Sequence, residues 1–439
     1  MSASQQDLLR AVKRLRRRLW HRLLTPGWGR PTDAARLRGW YRVLAWQMAK
    51  TPAERRALVG QALALPVRAW QDAGEEVARF GAEVQELAGV APAAQRRQLW
   101  WLQVRHGLDA VSYVDYQLYR PERRRHAAEY LQEAEHTRVV RWYNRRHRDT
   151  DAPALRDKPR FAEWCEAHGL PGVPTLLAYD GGEPVESGLG DDPAAALPRR
   201  DLFSKPVDAT GGHGTARWRY VDTPDGAGAW LGRDGRARTG AEVLTEVAEL
   251  SRTLPLQGKR TSRRMLVQPA LRNHWELLPL TPGALNTLRI LTARPPGGRA
   301  RVVLAAFRLA VGDAPADNFH FGGMMAPVDL ATGRLGTAVR RQRRALVPVE
   351  RHPDTGAVIE GHQVPCWAEA VALAERALDA ARRVPVIGWD VAITDEGPVL
   401  IEANAASNPD IAQAPTGVPL SATALPGVLD AHMRAYFGY

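Results

Sequence analysis

Residues 388–408 read GWDVAITDEGPVLIEANAASN, two short apolar runs interrupted by two acids and an amide: Asp390, Glu402 and Asn404. A three-residue turn, Asp395-Glu396-Gly397, with glycine in the left-handed position, joins the runs as a hairpin. Thr394 then faces Pro398, Ala392 faces Leu400, and Asp390 faces Glu402. Opposed Cβ atoms lie about 4.5–5.5 Å apart. Asn404, two residues after Glu402, shares their face, while Trp389, Val391 and Ile393 point the other way. Opposed carboxylates repel unless one is protonated or a cation lies between them. Oxygen donors so placed suit Mg²⁺, bound at about 2.0–2.1 Å and commonly shared with phosphates. The same spacing also describes the solvated side of an ordinary hairpin.

A second stretch, LFSKPVDATGGHGTARWRY, places Lys205 at the end of a strand and Thr210-Gly211-Gly212-His213-Gly214 before the next. Glycines let backbone N–H groups wrap phosphate oxygens, and a neighbouring lysine adds charge. The context is strand-loop-strand, unlike the strand-loop-helix of other phosphate loops. A hairpin with a mobile tip, a solvated His213 and a surface Lys158 are the plain alternatives. Arg289 in LRILT and Arg308 in FRLAV lie inside apolar strands. A buried arginine there needs a carboxylate or a phosphate as partner. Asp317-Asn318 precedes Gly322-Gly323.

These groups must be held by a mixed scaffold. Residues 1–150 are helical and rich in Trp and Arg, with Leu8, Val12, Leu15, Leu19 and Leu23 forming one helical stripe. That basic helix either packs on the protein or lies on an anionic membrane surface. Helices follow at 52–65, 67–88, 92–106 and 121–145, punctuated by proline and caps. Near residue 150 the character changes. A helix from about 159, a strand at 175–179 and a loop at 180–198 lead into strands at 202–206, 216–221, 264–268, 285–293 and 302–311. One long helix, 367–383, precedes the opening hairpin. The class is α+β.

The chain has 439 residues, enough for two or three domains, and 45% hydrophobic with 25% charged residues marks a folded globular protein. Two distant cysteines, Cys165 and Cys366, make neither a zinc pattern nor a disulfide framework, so a reducing, cytoplasmic setting is expected. The net charge of +12 suits a solvated basic surface or an anionic partner. No apolar stretch reaches about 18 residues, so no spanning helix is expected. The arginine-broken leucines at the start are not those of a signal peptide.

The ordered set DKPRF, Lys205 with its glycine loop, LVQPAL, LNTLRILT, DNFHFGGMMAPVDLATG and GWDVAIT…VLIEAN resembles the ATP-grasp superfamily, and within it the sugar-transfer-associated ATP-grasp family. The resemblance covers roughly 152–425. It implies an ATP-grasp fold, two α+β lobes clasping ATP, at 151–439 after the helical region 1–150. Lobe one would run to about 268 and lobe two from about 269 to 425. It implies that Lys158 and Lys205 contact phosphates and that Thr210, Gly211, Gly212 and Gly214 close over them. Gln268, Pro269 and Leu271 would meet adenine, with the Pro269 carbonyl accepting and the Leu271 N–H donating. Asp390, Glu402 and Asn404 would hold Mg²⁺. Arg289 and Asn318 would contact the terminal phosphate and the reacting acyl group.

The activity so implied is ATP-dependent joining of a carboxylate to an amine through an acyl phosphate, with a carboxylated sugar or polysaccharide precursor among the substrate classes. Phosphoryl transfer of this kind rests on charge neutralisation and positioning rather than a protein nucleophile. A phosphotransferase acting on a sugar or lipid-linked hydroxyl is the first alternative, and a non-enzymatic basic binding module the second. The expected partners are small molecules and, through the basic N-terminal helix, an anionic membrane. Nucleic acid is not expected.

Overall fold

The computed structural model describes residues 33–208, 214–255, 262–281, 283–312, 319, 322–343, 345–406 and 410–438. The helical region comes first. Helices α1 (Asp33–Met48), α2 (Pro52–Ala88), α3 (Pro92–His106), α4 (Ala110–Asp115), α5 (Pro121–Arg124) and α6 (Glu133–Arg146) precede every described strand. Where the proline pattern predicts two helices meeting at Pro66, α2 runs through as one, started by a Thr51–Glu54 capping box. Pro66 removes one backbone bond, but antiparallel packing on α3 carries the helix across, and the Trp100 indole N–H donates to the Pro66 carbonyl at 2.9 Å. The segment 121–145, read as one helix, is instead broken at 125–132.

The helices α7 (Ala152–Arg156) and α8 (Lys158–Ala167) lead into the first lobe. Its strands are β1 (Leu177–Asp180), β2 (Glu183–Ser187), β3 (Leu202–Pro206), β4 (Ala216–Val221), β5 (Ala229–Leu231), β6 (Ala237–Arg238) and β7 (Met265–Pro269). They form a seven-stranded antiparallel sheet in the order β2-β1-β7-β3-β4-β5-β6. Strand β2 falls in the stretch read as a loop. It is a largely exposed edge strand, so it shows no apolar alternation. Helix α9 (Gly240–Thr253), also unforeseen, starts at a Thr239–Glu242 capping box. It buries Val243, Leu244 and Val247 against Leu202, Trp218, Trp230, Met265 and Val267. On β3 this turns Leu202, Ser204 and Pro206 to the helix and Phe203 and Lys205 to the opposite face.

The second lobe carries β8 (Thr287–Ala293), β9 (Arg301–Leu309), β10 (Met324–Pro327), β11 (Ala338–Gln342), β12 (Ala345–Val349), β13 (Val386–Thr394) and β14 (Gly397–Asn404). These pair antiparallel in the order β12-β11-β10-β9-β8-β13-β14. One face packs Leu288, Ile290, Phe307, Trp389, Val391 and Ile393 on α10 (Trp367–Ala380). Phe161 and Trp164 of α8 stack on Trp389, each with ring centroids 6.4 Å away. The helix that begins with Lys158 is thereby fixed to the back of the strand that carries Asp390. The other face is divided. Leu291, Ala293, Leu304 and Val386 lie under α1, α6 and α12 (Leu425–Phe437), which follows α11 (Asp410–Thr416). The helical region thus shares a core with the second sheet.

The chain crosses between the lobes at 270–275. Ala270 N–H donates to the Asp201 carbonyl at 2.8 Å, His274 N–H to the Ile393 carbonyl at 2.8 Å, and Trp275 N–H to Asp395 Oδ1 at 2.9 Å. The crossover is therefore tied at one end to the first sheet and at the other to the β13–β14 hairpin.

Candidate active site

Strand register decides which side chains meet. Asp390 faces Glu402 and Gly388 faces Asn404, as the sequence suggests, but the hairpin reaches this by another route. Its turn has two residues, Asp395 and Glu396, because Thr394 pairs with Gly397. A bulge then leaves Ile401 unpaired between Leu400 and Glu402. The shorter turn moves the register by one and the bulge moves it back, so the two acids remain opposed.

On its other side Asp390 faces Arg289 of β8. Arg289 Nε donates to Asp390 Oδ1 at 2.6 Å, and Arg308 of β9 donates through Nη2 to Asp390 Oδ2 at 2.9 Å. Thr287 Oγ1 accepts from Arg308 Nε at 3.0 Å. The three ionic side chains are only 8–14% exposed. Burial alone would raise the Asp390 carboxyl, but Arg289 and Arg308 outweigh it and hold the group below the usual carboxylate range. Two guanidinium groups supply the counter-charge that this acid needs inside the sheet. Arg308 is the residue whose part in the site the sequence does not assign. Its position inside an apolar strand is the signal.

Glu402 and Asn404 are both half-buried. No hydrogen bond from a described residue reaches the Glu402 carboxylate, and the buried Asn404 Nδ2 has no partner among the described residues. Their oxygen chemistry fits a hard divalent ion. Asp390 has both oxygens engaged but keeps lone pairs beyond the arginine bonds.

The first lobe contributes its lysines to the same place. Lys205 stands on the cleft face of β3 and interacts electrostatically with Lys158, Glu402 and Asp390. Desolvation lowers its ammonium most, Lys158 lowers it further, and the two carboxylates act oppositely. The result is about 8. Lys158 Nζ donates to the Pro206 carbonyl at 3.3 Å, one residue beyond Lys205. Gly214 adopts φ +78°, where a Cβ would come within 3.1 Å of Pro206 Cγ and 3.3 Å of Leu254 Cδ1, so the far end of the glycine loop packs on the helix-facing side of β3. Thr210, Gly211, Gly212 and Asn318 lie outside the described residues.

The three interlobe residues are arranged differently. Gln268 directs its side-chain amide to the Val173 carbonyl at 3.2 Å. Pro269 opposes Leu202 in β3, next to the bonded pair Ala270–Asp201. Alternation makes the Pro269 position a non-hydrogen-bonded pair, so its missing N–H costs no ladder bond. Leu271 lines a groove of about 590 Å³ together with Arg200, Tyr220, Arg272, Thr394 and Val399. No described residue accepts its N–H. Neither Lys158 nor Lys205 lines this groove. Val399 pairs with Ala392, two residues along β13 from Asp390, so the groove and the charged cluster occupy one continuous face of the hairpin. Between Gly388 and Thr394 that face extends roughly 20 Å at about 3.3 Å per residue, room for a base at one end and phosphates at the other.

A family model described as sugar-transfer associated ATP-grasp matches residues 136–424. No curated protein matches the chain. Among solved structures, a biotin carboxylase–β,γ-ATP complex from Campylobacter jejuni is similar at 10% identity and a TM-score of 0.35, over 65% of this chain and 47% of that one. An L-amino acid ligase from Bacillus licheniformis is similar at 12% identity and a TM-score of 0.33, over 64% and 49% respectively. An ADP complex of N5-carboxyaminoimidazole synthetase from Staphylococcus aureus is similar at 10% identity and a TM-score of 0.33, over 65% and 52%. The chain thus spans about half the length of these proteins.

Proposed function

The chain belongs to the sugar-transfer associated ATP-grasp family, and from that premise we propose that it is an ATP- and Mg²⁺-dependent carboxylate–amine ligase. The observation that carries this reading is the meeting of Lys158 and Lys205 from one lobe with Glu402 and the arginine-held Asp390 from the other.

The γ-phosphoryl group would pass to a substrate carboxylate, giving ADP and an acyl phosphate. An amine would then attack the acyl carbon and release phosphate. Lys158 and Lys205 neutralise phosphate charge, and Arg289 and Arg308 stabilise charge at the transferring group. Glu402, Asn404 and Asp390 would hold Mg²⁺, which would supply charge neutralisation and Lewis-acid polarisation of the phosphoryl group. Leu271 N–H and the Pro269 carbonyl would meet the base at the interlobe groove. A carboxylated sugar or polysaccharide precursor is the acid, and an amino acid or other amine the acceptor.

Incubation with ATP, Mg²⁺, candidate acids and hydroxylamine tests this. Hydroxamate with matching ADP supports the ligase. A phosphorylated hydroxyl without free phosphate would mark a phosphotransferase instead. The basic stretch 8–23, outside the described residues, is proposed to touch an anionic membrane surface. Failure to cosediment with anionic vesicles at low salt would remove that contact. Among the described residues no helix is long and apolar enough to cross a membrane.

A further inference from the structure

We propose that Arg289 and Arg308 occupy Asp390 in place of a metal ion, so that the divalent cation enters only with a nucleotide that draws the arginines away. This rests on the metal–nucleotide reading above and adds an order of events and a role for Arg308.

Each Asp390 oxygen accepts one arginine bond, at 2.6 and 2.9 Å, which sets a guanidinium charge beside both. Arg308 is further fixed by Thr287 Oγ1. Because these groups are nearly buried, salt screens them little. Among the described residues, four formal cations, Lys158, Lys205, Arg289 and Arg308, meet two carboxylates, Asp390 and Glu402, a net formal charge of +2 for these six groups. Such a cluster repels a bare divalent ion and attracts a polyanion. Among the described residues no group of three or more acids, histidines or cysteines forms a ready-made metal cage. A metal–triphosphate complex carries net negative charge and offers the guanidinium groups phosphate oxygens of the geometry they favour. Asp390 is then released to join Glu402 and Asn404. Arg308 is a positioning residue for Asp390 while the site lacks ligand, and faces the phosphates once nucleotide is bound.

The test measures Mn²⁺ binding to nucleotide-free full-length protein by paramagnetic resonance. Arg308→Gln should bind Mn²⁺ at least about ten-fold more tightly than the wild type, because one opposing charge is gone. Adding Asp390→Asn should cancel the gain. Thr287→Val, which keeps both arginines but loosens Arg308, should show a smaller gain in the same direction, and decides the matter if Arg308→Gln does not fold. Equal Mn²⁺ affinity in wild type and the folded variants overturns the proposal, as does a gain that survives Asp390→Asn. A parallel titration with Mn²⁺ and a non-hydrolysable ATP analogue separates the two ideas. Uptake of the complex with no gain in the variants removes only the exchange. Absence of uptake in every protein removes the nucleotide reading, and a gain in the nucleotide-free variants would then leave the arginine lock standing alone.

Discussion

Asp390 and Arg289 stand directly opposite one another across the β8–β13 ladder, joined by a 2.6 Å bond from Nε to Oδ1. With Arg308 on the second oxygen, this carboxylate anchors two arginines in a nearly dry face. Asp390→Asn would leave both guanidinium groups without their counter-charge. A loss of about 3–5 kcal/mol in urea-induced unfolding is expected, because breaking a buried pair from one side strands the other. A loss below about 1 kcal/mol would show that the arginines find other partners easily.

Glu402 makes the contrasting case. It faces Asp390 in register yet accepts no hydrogen bond from a described residue. Glu402→Gln should change stability by less than about 1 kcal/mol, as surface-type substitutions do. ADP formation should fall by roughly 100-fold or more, the scale seen when a charge-stabilising group is removed. Thermal unfolding and coupled ADP assay measure the two effects on the same protein. Near-normal turnover would remove Glu402 from the chemistry.

Much of this site was legible because strand periodicity makes side-chain direction a matter of parity. Parity alone put Asp390, Glu402 and Asn404 on one face and Trp389 on the other. The turn is one residue shorter than its sequence suggests, and the bulge at Ile401 restores the pairing. A bulge has no local sequence signature here, so two compensating features left the expectation intact. What could not be read was the identity of long-range partners. Arg289 and Arg308 asked for an anion, and only the sheet order β9-β8-β13 shows that Asp390 supplies it. Helix α9 carries a start signal in the Thr239–Glu242 capping box, whereas β2, an exposed edge strand, lacks the alternation that marks a strand.

Lys205 gives a pH dependence. Burial and Lys158 bring its ammonium down to about 8 in the free protein. It is charged below that value and neutral above it, whereas an ordinary lysine stays charged to about 10.4. Nucleotide affinity should therefore weaken as pH rises through about 8. Lys205→Arg, charged throughout, should flatten that inflection. The unfolded chain still binds the proton between about 8 and 10.4, so the cost of burying the charged lysine, full below about 8, is relieved and stability rises with pH across that window. Affinity measured by fluorescence titration from pH 7 to 9.5 checks the first effect. An unchanged Kd would mean the charge of Lys205 is not felt.

Trp164 links packing to the site. It is buried, stacks on Trp389 and holds the helix that opens with Lys158. Trp164→Ala should cost about 3–5 kcal/mol, the usual range for removing a core aromatic. Because Lys158 loses its support, KM for ATP should rise more than kcat falls. A stability loss with unchanged KM would separate the helix from nucleotide binding.

The central claim is that lysines of one lobe and oxygen donors of the other make one metal–nucleotide site. Calorimetric titration of a non-hydrolysable ATP analogue, with and without Mg²⁺, tests it most directly when wild type is compared with Lys205→Ala. Binding should require Mg²⁺ for full strength and weaken by at least about ten-fold in Lys205→Ala, the scale of a lost charge-assisted contact. Heats that are absent in the wild type, or indifferent to both Mg²⁺ and Lys205, would contradict it.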